Sequence, residues 1–190
     1  MPASTTTLST ADARRETVIR SAVTVFAGAG YLGTPTSAVA EHAGISTAYV
    51  FKLFPRKQDL FVAAFADCCD RIVAALDAGA AQAAGQTPDL SPDALLDAMG
   101  GAYAALIADR SLMMLQVHAQ SAAAEPEIAA ALRAGLAQIV EFVKTRSGAS
   151  DEAVQRFMAY GQLCHLITVA GLDGDPADWA RLLAHGFRHY

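Results

Sequence analysis

Charge, cysteine and aromatic side chains are all scarce in this chain of 190 residues: charged residues make up 17% and aromatics 7%, with a single Trp. The three cysteines, Cys68, Cys69 and Cys164, are odd in number and lack metal-ligand spacing. That excludes a disulfide framework or a zinc ribbon and leads us to expect reduced thiols in a cytoplasmic protein. Alternating runs of Val, Ile and Thr are missing, so strands are not expected. A membrane-spanning segment is missing too. The longest uncharged run, between Arg156 and Asp173, contains Gln162 and His165 and is too short and too polar to cross a bilayer. The N-terminus is Ser/Thr-rich without a cationic start or an apolar run, so residues 1–11 read as a disordered tail and not as a signal peptide. No HExxH, P-loop or GxSxG is present, and no cofactor is expected. Gly28-Ala29-Gly30-Tyr31-Leu32-Gly33 matches G-x-G-x-x-G literally, but it follows a helix instead of a strand, and Pro35 starts the next helix beyond it.

What the chain does contain is hydrophobic residues, 53% of the total, with abundant alanine, the best helix former. The expected fold class is all-α. Thr34–Leu60 is its most informative stretch. Thr34 suits an N-cap and Pro35 a first helical position. Val39 and Ala40 give the first helix an apolar face, and Gly44 ends it. Ser46 can cap a second helix carrying Val50, Phe51 and Phe54 at helical spacing, and Pro55 stops it. Two short helices around a Gly-containing turn are the sequence form of a helix-turn-helix, here at about 35–54.

The charge is asymmetric. Residues 1–58 carry six Lys/Arg against three Asp/Glu, a balance of +3, whereas residues 59–190 carry eight against sixteen, a balance of −8. A basic end on an acidic body points to a polyanion met by the N-terminal part alone.

Elsewhere the apolar periodicity gives a first helix over 12–29, a long helix from about Arg56 to Ala84, and helices from Ser91-Pro92, over 109–124, from Glu125-Pro126 to Arg146, from Ser150 or Asp151 to Leu172, and from Pro176 onward. That makes about nine helices. The last two are apolar on more than one face, which a homodimer interface through Met158, Gly161, His165, Trp179, Leu182, Leu183 and Phe187 would explain.

The spacing Gly30-Tyr31…Thr34…Val39-Ala40…Ala43-Gly44-Ile45-Ser46…Val50-Phe51…Phe54-Pro55…Lys57…Leu60 resembles the TetR family of bacterial transcriptional regulators. The helical body, with Gln116-Val117-His118-Ala119 and Glu125-Pro126-Glu127-Ile128, is similar to that family's second domain. The resemblance implies a three-helix DNA-binding module over 12–72 and a helical ligand-binding and dimerisation domain over 73–190. It further implies a homodimeric repressor that leaves double-stranded operator DNA when a small molecule binds. Thr47, Tyr49 and Lys52 are groove-facing by family position. Ala48 shares their face, opposite Val50 and Phe54. Ser37, Ser46 and Lys57 lie at helix starts suited to phosphate contact.

Three positions depart from the family pattern. Tyr49 replaces a smaller residue, commonly Thr. Phe51 stands where Tyr is typical, either facing DNA or simply packed in the core. Leu53 replaces a common polar residue.

An apolar or amphipathic effector needs a mostly apolar pocket with a few polar groups. Tyr103, Met113, Gln116, His118, Gln120, Phe157, Tyr160, Gln162 and His165 are the candidates. The alternative is an all-α small-molecule-binding protein or enzyme in which the N-terminal motif only packs; a protein-binding adaptor is a further one. His185 and His189 are four apart but lack a third ligand, and Cys68-Cys69 has only Arg71 as a basic neighbour, so neither pair is expected to bind metal or sense redox state.

Overall fold

The computed structural model describes residues 10–87 and 89–186. Among them are nine α-helices, one 3-10 turn and no strand. The helices are α1 (Thr10–Gly33), α2 (Thr36–His42), α3 (Thr47–Leu53), α4 (Lys57–Gln86), α5 (Pro92–Ile107), α6 (Arg110–Ser121), α7 (Pro126–Ser147), α8 (Asp151–Ala170) and α9 (Asp178–Ala184). Their starts follow local chemistry. The hydroxyls of Ser46, Ser91 and Ser150 accept from the backbone N–H groups of Tyr49, Ala94 and Ala153, and the Asp109 carboxylate accepts from Ser111 N–H. Each such cap satisfies an N–H that the helix itself cannot.

Several boundaries differ from those expected. Helix α1 begins at Thr10, inside the segment read as a tail, and continues to Gly33 across a kink at Gly30. The literal G-x-G-x-x-G is therefore part of a helix. Thr34 does not cap α2; it is buried, and its hydroxyl donates to the Val25 carbonyl at 3.4 Å. The last helix starts at Asp178, two residues past Pro176, after a 3-10 turn at Leu172–Gly174. The domain division expected at 72/73 lies within α4, the long helix that the sequence also carries across that point. Phe187 and His189 lie outside the described residues.

Helix α4 organises the fold. At ~1.5 Å per residue it is ~45 Å long, and it buries Leu60, Phe61, Ala64, Phe65, Cys68, Cys69, Ile72, Leu76 and Ala80 along one stripe. Helices α1, α5, α6 and α7 pack on it, while α2 packs on α1, and α3 on α2. One continuous core therefore runs from Val18 in α1 to Val154 in α8. Phe26 and Tyr31 of α1 meet the Phe61 ring edge-on, with centroids at 5.0 and 5.4 Å. Cys68 and Cys69 belong to this core; burial pushes both thiols up, Cys69 to about 12. Thiols that stay protonated at neutral pH are poor nucleophiles and poor metal ligands.

Candidate DNA-facing surface and body cavity

The N-terminal surface is built by three short elements held in place from behind. Gly44, at φ 67°, makes the turn between α2 and α3, and Ile45 N–H donates to the Ala40 carbonyl at 3.0 Å. In α3, Val50 (0% exposed) and the following Phe54 (2%) are driven into the core. This fixes the rotation of α3 about its axis and leaves Ala48, Phe51 and Lys52 exposed, with Thr47 and Tyr49 half-buried on the flanks. Phe51 is 45% exposed, so the reading that buried it in the core is corrected: it belongs to the outer face.

The basic residues of this region divide into two sets. Arg15 stacks over the Phe54 ring at 4.1 Å and donates to the Leu53 carbonyl at 3.1 Å, tying α1 to the end of α3. Lys57 donates to the Thr34 carbonyl at 3.3 Å and lies 4.6 Å from the Tyr31 ring centre. Arg56 holds Asp59 and Glu127; its hydrogen bonds to Asp59 keep that carboxyl below its usual range, and Glu127 is held low by its own backbone N–H and then by Arg56. These three cations latch the module together. Arg14, 5.7 Å from the Tyr49 ring centre, and Lys52 lie on the exposed side. Ser37 is exposed in the first turn of α2, while the Ser46 hydroxyl is occupied as the α3 cap.

The body contains a cavity of about 1140 Å³ between α4, α5, α7 and α8, with Gln116 of α6 in its wall. Its apolar lining includes Ile72, Leu76, Leu96, Leu136, Ile139 and Phe157, and Tyr103, Gln116, Tyr160 and Gln162 are among its polar groups. Five of the nine expected pocket residues therefore line it: Tyr103, Gln116, Phe157, Tyr160 and Gln162. The other four sit elsewhere. His165 is buried behind Tyr103, its Nε2 2.5 Å from the Tyr103 hydroxyl. Met113 is sealed in a small cluster with Ile107 and Cys164. Gln120 donates to the Gln162 side-chain carbonyl at 3.0 Å. His118 points the other way, to α1, with Nε2 3.2 Å from the Ala27 carbonyl.

The expected dimer residues divide similarly. Met158 and Gly161 line the cavity and His165 faces Tyr103. Leu183 is half-buried against Ile167 and Leu172. Trp179 and Leu182 of α9 are 57% and 75% exposed, and Leu166 and Val169 of α8 are exposed apolar residues too.

Sequence reasoning missed Asp93, Asp97, Gly100, Gly101 and Ala104, which line the cavity from α5. Their spacing of three and four residues marks a single helix face, but its small and acidic residues do not register as an apolar stripe.

Burial without a charged partner lowers the His165 pKa from its ordinary 6.5. The native ring stays neutral at pH values where an unfolded chain takes up a proton. Its contribution to stability is thus full above pH ~6.5 and falls below it. Urea unfolding should show the wild type losing more stability than His165→Gln between pH ~7.5 and ~5.5. Equal losses would mean that the ring is hydrated in the native state.

Residues 18–64 match the family model described as bacterial regulatory proteins, tetR family. No curated protein matches the chain. Among solved structures, the chain is similar to a TetR-like transcriptional regulator from Rhodococcus sp. RHA1, with TM-score 0.64 and 21% identity over 93% of this chain and 94% of that one. It is also similar to the FadR regulator from Bacillus subtilis, solved with stearoyl-CoA (TM-score 0.67, 15% identity, 88% and 94% covered). The fatty acid degradation regulator FadR from Bacillus halodurans is comparable (TM-score 0.66, 17% identity, 93% and 97% covered). At these identities the likeness establishes the fold.

Proposed function

We propose, from the premise that the N-terminal module is that of the tetR family of bacterial regulatory proteins, that this chain is a dimeric transcriptional regulator. It binds operator DNA through α3 and releases it when a small molecule enters the body cavity. The observation that carries the reading is the orientation of α3. Its buried side is fixed by Val50 and Phe54, and its free side offers Ala48, Phe51 and Lys52. An α-helix with its side chains is ~10–12 Å across, which fits the ~12 Å width of the major groove.

Dimerisation is supported by Trp179, Leu182, Leu166 and Val169, whose exposed apolar surface a second copy would cover. A short recognition helix also gains specificity from two-fold repetition. The effector step is supported by the cavity, and by a similar structure that holds stearoyl-CoA.

A gel shift with DNA flanking the chain's own gene tests the proposal. Binding should be sequence-selective, steeply salt-dependent, and directed to two half-sites about 34–36 Å apart. Lys52→Ala should weaken it several-fold and reduce the log–log salt slope by about 1. Salt-insensitive or sequence-blind binding would defeat the reading. Full affinity for a single half-site would defeat its dimeric part.

A further inference from the structure

The polar groups of the cavity are not alike along its length, and this limits what can fill it. Along α5 and α8 the neighbours pair in the same direction. A Cβ at Gly100 would lie 3.7 Å from Phe157, one at Gly161 would lie 3.9 Å from Tyr103, and Tyr103 bonds His165. The two helices therefore run parallel, so Asp93 and Asp97 lie toward one end and Arg156, next to Phe157, lies about level with Gly100, between that end and Tyr103. All three are exposed. Asp97 and Asp93 precede Tyr103 by six and ten residues, which is ~9 and ~15 Å along the helix.

Beyond Gly100 the wall carries the hydrogen-bonding groups Tyr103 and Gln116, and His185 lines the cavity as well. The Gln116 amide nitrogen lies 3.2 Å from both the Leu112 carbonyl and the Tyr103 oxygen, and Tyr103 meets His165. His165 is 4% exposed, and its Nδ1 has no hydrogen-bond partner among the described residues. The chain Gln116–Tyr103–His165 can be written with its protons running in either direction, because the amide can flip and the imidazole has two tautomers. It can therefore receive a donor or an acceptor. Burial keeps Tyr103 protonated and His165 neutral. An anion seated directly against Tyr103 and Gln116 would exchange its hydration for hydrogen bonds from neutral groups, which offset that cost only in part.

We propose that the effector is an uncharged apolar molecule that presents a carbonyl or hydroxyl oxygen to Tyr103 and Gln116. This rests on the reading of the body as an effector site. Its apolar part lies against Phe157, Leu76 and Ile139, which line the cavity.

Fluorescence titration of the full chain at neutral pH with three probes of one size tests this: 1-acetylpyrene, 1-pyrenecarboxylate and 1-pyrenemethylammonium. The ketone should bind at least roughly tenfold more tightly than either ion, a difference of ~1.4 kcal/mol. Tyr103→Phe should weaken the ketone about five- to tenfold while leaving the carboxylate unchanged, and Gln116→Leu gives the same reading should the first variant fold poorly. Binding of the carboxylate as tightly as the ketone would overturn the ligand class but leave the effector site standing. So would ketone affinity unchanged in both variants. If none of the three probes binds, both the ligand class and the effector site are overturned, while DNA binding in the gel shift is judged separately.

Discussion

Phe61→Ala should destabilise the protein by about 3–5 kcal/mol, the range for removing a fully enclosed ring. For a chain of this length that is roughly 6–20 °C in Tm. The ring is 0% exposed and receives the edges of Phe26 and Tyr31, so truncation opens a void where α1 crosses α4. Neither neighbour can collapse into the void freely. Phe26 belongs to the same sealed layer, and Tyr31 is held under Lys57. Phe51→Ala is the matched control. The same atoms are removed ten residues earlier in the chain, but from a ring that is 45% exposed. Its stability should move by no more than about 0.5 kcal/mol, with its effect appearing in the gel shift instead. Thermal unfolding of the two variants side by side checks both halves. Equal Tm losses would contradict the assignment of Phe51 to the outer face.

Gly30→Ala should cost about 2–4 kcal/mol, from two sources that can be separated. At φ 71° and ψ −179° the backbone occupies a region essentially reserved for glycine, and holding an alanine there costs on the order of 1–3 kcal/mol. The new Cβ would also lie 2.7 Å from Nδ1 of His118. That ring cannot swing aside without leaving the Ala27 carbonyl. The double variant Gly30→Ala/His118→Ala should therefore recover the steric part and leave the backbone part. A double-mutant cycle in urea reads the difference as a coupling energy. Zero coupling would mean that α6 does not press on the α1 kink. The position matters beyond stability, because this contact joins the body to the helix that carries the DNA-facing module. His118 lies two residues from Gln116 of the cavity wall.

The sequence by itself determined the local structure. Capping serines, Gly44, Pro55 and Pro126 act through the few residues beside them, so they can be read along the chain. The helix-turn-helix was legible for the same reason, as was the inward turn of Val50 and Phe54, which follows from helical spacing. The charge split between the ends was likewise a matter of counting.

Only the tertiary structure decided which side of each helix meets which neighbour. Phe51 has the composition of a core residue, yet it is exposed because Val50 and Phe54 already fill the space beneath α3. His118 and Gln116 are two apart on α6, a rotation of ~200°, so one meets α1 and the other the cavity. Asp93 and Asp97 look like ordinary surface charge until Arg156, from a distant part of the chain, comes to line the same cavity. Kink and cavity both depend on long-range packing, and one-dimensional periodicity carries no information about the partner that a helix face will find.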